Sequence, residues 1–206
     1  MNADAPYRTL AASGASELVI ERSRFLGRAE PVDSVETALE IVAQLQREHH
    51  SARHVCFGLR VGRGSQIVDR WNDDGEPSRT GGFPLWQLLE GEDLTNALIA
   101  VVRYFGGVKL GTGGLSRAYR AAGREAQSVA GVLEVWPEVQ LDVELGYDMV
   151  ARLDHLLADL EGVRVAEREF AEAVRYELVV RCVRLDAVRA RLAELLQRAP
   201  ESFDAR

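Results

Sequence analysis

Lysine is almost missing from this chain: Lys109 stands alone against twenty-four arginines. Cysteine is scarce too. Cys56 and Cys182 lie far apart in unrelated patterns, which excludes a disulfide framework and a zinc-ribbon site and leaves buried reduced thiols as the reading that fits. No apolar run approaches the ~20 residues of a membrane-spanning helix. The opening MNADAPYRTL has neither the basic nor the apolar block of a secretory signal, so a cytoplasmic location and no membrane partner are expected. Net positive charge is lacking as well. A formal charge of −7 at pH 7 argues against indiscriminate nucleic-acid binding, and against DNA in particular, because such binding depends on neutralising phosphates.

That charge is uneven. Residues 1–50 carry −3, residues 51–131 carry +2 and residues 132–206 carry −6. The only segment that is not acidic also holds the densest glycine cluster. Gly106, Gly107, Gly111, Gly113 and Gly114 fall within nine residues around Lys109. The apolar run Leu98–Val102 leads into this stretch, and helical spacing from near Leu115 leads out of it. A strand, a glycine loop and a helix in that order place backbone N–H groups at a helix start, where the helix dipole favours anions. Neither GxxxxGK[ST] nor GxGxxG is satisfied, since Leu110 follows Lys109 and Ser116 stands where a third glycine is required. What remains is a generic anion-binding geometry, with Arg103, Lys109, Gly111, Thr112, Gly113, Gly114, Ser116 and Arg117 as candidate ligand contacts. Glycines that merely let a helix pack closely on a sheet read equally well from the sequence.

A second cluster lies upstream. Asp73, Asp74 and Glu76 surround Gly75 in the loop NDDGEPS, with Thr80 just beyond. Carboxylates on a loop suit a divalent cation or a general base; Asp-Gly is also ordinary turn chemistry. His49, His50 and His54 would need to converge to hold a metal, and HExxH is missing. No metal or cofactor is expected, and neither a Ser-His-Asp nor a Cys-His arrangement follows from the spacing.

The 206 residues, 47% of them hydrophobic, suffice for two small domains with cores of their own. In residues 1–134 we expect two short strands over Glu17–Val32, and a helix from an Asp33 cap with a Glu36 capping box to Arg47. A strand over 55–61 pairs with one over 66–71. A helix follows over 80–89, then the 98–102 strand and a helix from Leu115 to about Val129. Trp136-Pro137 reads as the boundary, with proline ending the helix. Residues 138–206 alternate cleanly: Val139, Leu141, Val143 and Leu145, then Val174, Tyr176, Leu178 and Val180, each strand followed by a leucine-striped helix. The pattern is βαββα, ferredoxin-like with its last strand short or missing. The fold class is therefore α+β in two domains, and the last residues are expected to fray.

At this point the residues resemble a known family. DDGEPSRTGG (73–82) followed by VVRYFGGVKLGTGGLSRAY (101–119) is similar to the signature of the YigZ/IMPACT family. HHSARHVCFGLRVG (49–62), YRTL (7–10) and ERSRFLGRAEPV (21–32) fit its other blocks. Departures are Arg79-Thr80-Gly81-Gly82 where the family usually has Gly-Thr-Ala-Gly, Phe83 in place of a polar residue, and Val55 for a common asparagine. The resemblance implies that the first domain has the fold of the second domain of ribosomal protein S5, and that the second is similar to domain five of elongation factor G. It also implies a non-enzymatic cytoplasmic factor that binds RNA or ribosomal and translation components through the DDGEP and glycine-loop surface. The alternative is an enzyme or binding protein for a small ligand bearing a phosphate or carboxylate, which would use Asp73, Asp74, Glu76 and the Lys109 loop.

Overall fold

Alternation of apolar side chains builds a five-stranded sheet between helices of opposite faces. The computed structural model describes residues 4–203; the expected fraying at the extreme C-terminus falls on residues outside that span. In chain order the first unit contains β1 (Tyr7–Leu10), β2 (Gly14–Ile20), β3 (Ser23–Pro31), α1 (Val35–Glu48), β4 (His54–Val61), β5 (Val68–Asn72), α2 (Gly82–Gly91), β6 (Ala97–Tyr104), α3 (Gly111–Ala130) and β7 (Val132–Val135). The sheet order is β2-β3-β6-β4-β5, antiparallel throughout. A separate ribbon pairs β1 with β7.

β6 lies at the centre and is buried on both faces, which is why it reads as a continuous apolar run rather than an alternating one. Ala97, Ile99 and Val101 pack with α2 and α3, while Leu98, Ala100 and Val102 pack with α1. Arg103 continues the first of these rows, so its guanidinium is carried into the helix-covered side of the sheet. α3 packs closely because it presents Ala118, Ala122, Ala126 and Ala130 to strands that offer glycine. A Cβ at Gly14 would lie 2.1 Å from the Ala126 carbonyl oxygen, and one at Gly27 would lie 2.5 Å from that of Ala122.

Several boundaries differ from the sequence reading. Ser34, not Asp33, caps α1: its Oγ accepts from the Thr37 N–H at 3.0 Å, and Asp33 instead accepts from the Thr37 hydroxyl. α2 begins at Gly82 rather than Thr80. α3 begins at Gly111, a full turn before Leu115, and ends at Gly131, whose φ of +69° suits only glycine. β7 then separates α3 from Pro137, so glycine and not proline terminates that helix.

Contacts divide the chain into Tyr7–Val135 and a second unit running from Trp136, with residues 4–6. The second unit contains β8 (Glu138–Leu145), α4 (Val150–Ala158), β9 (Val163–Phe170), β10 (Val174–Arg181) and α5 (Leu185–Leu196). Its antiparallel sheet is ordered β8-β10-β9, the order of a split βαβ motif. Leu141, Val143, Tyr176 and Leu178 face Leu153, Val188, Leu192 and Phe203 in its core. The whole is α+β, with a larger α/β unit followed by a small sheet-and-helix unit.

Candidate functional site

The loop between β5 and α2 is held in shape by its own carboxylates. Asp73 Oδ1 accepts from the backbone N–H groups of Gly81 (2.9 Å) and Gly82 (2.8 Å), and Oδ2 accepts from that of Arg79 (2.8 Å). The helix start of α2 is thereby filled by an anion from the chain itself. Asp74 Oδ2 accepts from the Val55 N–H at 2.7 Å, tying the loop to β4. Thr80 is buried, and its hydroxyl donates to the Pro77 carbonyl at 2.6 Å. Asp73, Asp74 and Thr80 thus serve the loop. Glu76 alone of the three acidic residues turns inward, to a position 9% exposed.

Glu76 meets the second motif there. Arg103 Nη1 donates to its Oε1 at 2.5 Å, and the Tyr119 hydroxyl donates to the same oxygen at 2.9 Å. Arg103 also reaches Ser23 Oγ at 3.5 Å, and that oxygen accepts from the Gly106 N–H at 3.2 Å. His54 lies opposite Arg103 in the β4–β6 register. Its Nδ1 donates to the Asp74 carbonyl at 2.6 Å, which leaves Nε2 directed to Glu76 Oε1 at 3.9 Å.

Beneath this layer, burial pushes the Cys56 thiol far above its ordinary value; a hydrogen bond with Tyr119 offsets part of the rise, and Glu76 adds to it. The Tyr119 hydroxyl is raised by burial first and then by Cys56 and Glu76. Both groups are held neutral. A thiol in that state is a weak nucleophile.

Above it opens a cleft of about 360 Å³ lined by both motifs. Gly75, Glu76 and Pro77 form one wall; Lys109, Leu110, Gly111, Thr112 and Leu115 form the other; Arg53, His54, Arg103 and Phe105 complete the lining. Arg53 lies with its guanidinium 5.9 Å from the Phe105 ring. Neither Arg53 nor Lys109 has a carboxylate partner among the described residues, so the unpaired charge of the cleft is positive. At its edge α3 begins at Leu110–Gly111 without any side-chain cap, leaving first-turn N–H groups to solvent or a ligand. Gly107 and Gly111 have φ of +89° and +67°, and a Cβ at either would meet nothing within 4 Å. These glycines are required by backbone conformation; close helix–sheet packing rests on other glycines, Gly14, Gly27, Gly58 and Gly123 among them.

Of the candidate residues, Glu76, Arg103, Lys109, Gly111 and Thr112 converge on the cleft. Gly114 and Arg117 line a neighbouring hollow with Ile20, Glu21 and Val108, which Lys109 shares. Gly113 and Ser116 line neither. Arg120, also on α3, is turned away to donate to Gln87 at 2.6 Å. The histidines separate, with His49 Nδ1 bonded to the Tyr104 hydroxyl, and no group of three or more potential ligands forms a metal site among the described residues. Sequence reasoning missed Arg53, Phe105, Ser23 and Tyr119. The signal for Ser23 was Arg103 itself, because a cation inside an apolar strand requires buried partners.

Fold and site together define a two-domain α+β protein with a glycine-edged, positively charged cleft between two sequence motifs. A family model described as the Impact N-terminal domain matches residues 21–127, and one described as a domain of unknown function, DUF1949, matches residues 143–197. The IMPACT family member YvyE of Bacillus subtilis is 33% identical over 84% of this chain and 79% of its own length. An IMPACT family member of Thermus thermophilus is 36% identical over 78% of this chain and 85% of its own. A crystal structure of a hypothetical protein is 26% identical with a TM-score of 0.64, covering 97% of this chain and 96% of that one. The chain belongs to the IMPACT family.

Proposed function

We propose that this protein is a non-enzymatic regulatory factor that binds RNA of the translation machinery through the cleft between the DDGEP loop and the start of α3. One observation carries the reading: two motifs 27 residues apart at their Glu76–Arg103 bond close on one cleft whose unpaired side chains, Arg53 and Lys109, are both cationic. Phosphates are the complementary partners for such groups beside an uncapped helix start. The exposed Phe105 ring adds a surface for an unstacked base. The neutral, buried state of Cys56 and Tyr119 supports binding rather than nucleophilic chemistry.

Co-sedimentation with ribosomal particles tests it. The wild-type chain is expected in the particle fraction at low salt and the Arg53→Ala/Lys109→Ala double variant in the supernatant. Equal sedimentation of the two proteins sinks the reading.

The second reading, a small phosphate- or carboxylate-bearing ligand, draws support from the size of the cleft, which lies in the range of small-molecule sites. It also draws on His54, which lines the same cleft. Saturable binding of such a ligand by a chain that ignores ribosomal particles would select it.

A further inference from the structure

The charge and dimensions of the cleft point to one part of an RNA strand. The cleft holds about 360 Å³, near the lower end of ligand sites, which run from about 300 to 1,000 Å³. It suits one nucleotide rather than a run of several. The charge is also countable. Glu76 neutralises Arg103 through their 2.5 Å pair, which leaves the cations of Arg53 and Lys109 facing the space. An internal phosphodiester carries one negative charge, whereas a terminal phosphomonoester carries about −1.5 to −2 at neutral pH. Two free cations in the lining of a single-nucleotide cleft match the monoester.

The donor geometry agrees. Gly111 and Thr112 bring the uncapped first turn of a 20-residue helix to the wall of the cleft, and an incoming phosphate meets no Cβ at Gly111. Arg103 lines the same space with its side chain 6% exposed, and its Nε–H is buried without a partner among the described residues. Phe105, 41% exposed, and Pro77 add apolar surface to the lining, and an aromatic ring offers a base a place to stack.

We propose that the cleft binds a phosphomonoester-bearing nucleotide, and that in the RNA reading on which this rests the ligand is the phosphorylated end of a strand. Lys109, Arg53 and the first turn of α3 hold the phosphate, and Phe105 holds the terminal base. A free mononucleotide presents the same chemistry, and the test separates the two sources.

Internally labelled RNA oligonucleotides of one sequence, carrying a 5′-phosphate, a 3′-phosphate or hydroxyls at both ends, are titrated with the full chain by fluorescence anisotropy, and adenosine 5′-monophosphate is titrated by calorimetry. One phosphorylated oligonucleotide is expected to bind about tenfold or more tightly than the hydroxyl-ended one, the effect of about one added charge-assisted hydrogen bond. Lys109→Ala, at an exposed position, is expected to bind the phosphorylated and hydroxyl-ended oligonucleotides alike, the larger loss falling on the phosphorylated one. Equal binding of all three oligonucleotides overturns the strand-end proposal and leaves the RNA reading standing. Binding of the mononucleotide without any RNA overturns both.

Discussion

Glu76 Oε1 accepts from Arg103 Nη1 at 2.5 Å with the two side chains only 4% and 6% exposed, so the bond that joins the two family motifs is a buried ion pair. Tyr119 and Arg103 both donate to that one oxygen, which helps offset the desolvation of the charges. Removing one partner strands the other. Glu76→Ala is expected to destabilise the first unit by about 3–5 kcal/mol, read as a lowered urea midpoint. The Glu76→Leu/Arg103→Met variant, which leaves no buried charge, should recover most of that loss. A double variant no more stable than Glu76→Ala would show that the pair does more than satisfy itself.

The neutral floor predicts a pH dependence. Cys56 and Tyr119 have ordinary values of 9.0 and 10.0 and are both raised in the folded state, first by burial. In the unfolded chain they lose protons that the folded chain keeps, so above pH 9 fewer protons are bound in the unfolded state and stability falls as pH rises. The contribution is complete below pH 9 and declines by up to ~1.4 kcal/mol per pH unit for each group that titrates in the unfolded state alone. Denaturation midpoints between pH 8 and 11 should fall, with a shallower slope between pH 9 and 10 in Cys56→Ala. An unchanged slope in that variant would contradict the assignment.

Asp73 should separate structure from recognition. Its carboxylate satisfies three backbone donors at the start of α2 and stands outside the cleft lining. Asp73→Ala is expected to cost about 1–3 kcal/mol of stability while leaving RNA affinity per folded molecule unchanged. A selective loss of affinity at full stability would move Asp73 into the binding surface.

The glycines divide in the same way. Gly27→Ala forces a Cβ against the Ala122 carbonyl and should cost about 1–3 kcal/mol through overpacking. Gly111→Ala meets open space, so its cost is the ~1–2 kcal/mol of a left-handed backbone, and it should weaken RNA binding as well. Thermal melts and anisotropy on the two variants read both effects.

Much of this was legible in the chain. The strict alternation of Leu141, Val143 and Leu145 and of Tyr176, Leu178 and Val180 appears as one face of the small sheet, and the two motifs were marked by composition alone. Other features were not. β1 and β7 are four-residue strands more than 120 residues apart, and nothing local in YRTL announces a partner. The helix start at Gly111 was obscured because glycine is a poor helix former; the preceding backbone, not propensity, sets it. Arg53 and His54 reach the cleft because β4 lies beside β6 with His54 opposite Arg103. That register arises from tertiary packing and has no signature in either strand taken singly.

The salt dependence of RNA affinity tests the central claim most directly. For single strands the slope of log affinity against log salt falls by about 0.7 for each phosphate that the protein no longer neutralises. If Arg53 and Lys109 each neutralise a phosphate charge in the cleft, the Arg53→Ala/Lys109→Ala variant should bind more weakly with a slope shallower by about 1.4. A variant that keeps the wild-type slope would place the RNA, if bound at all, on another surface.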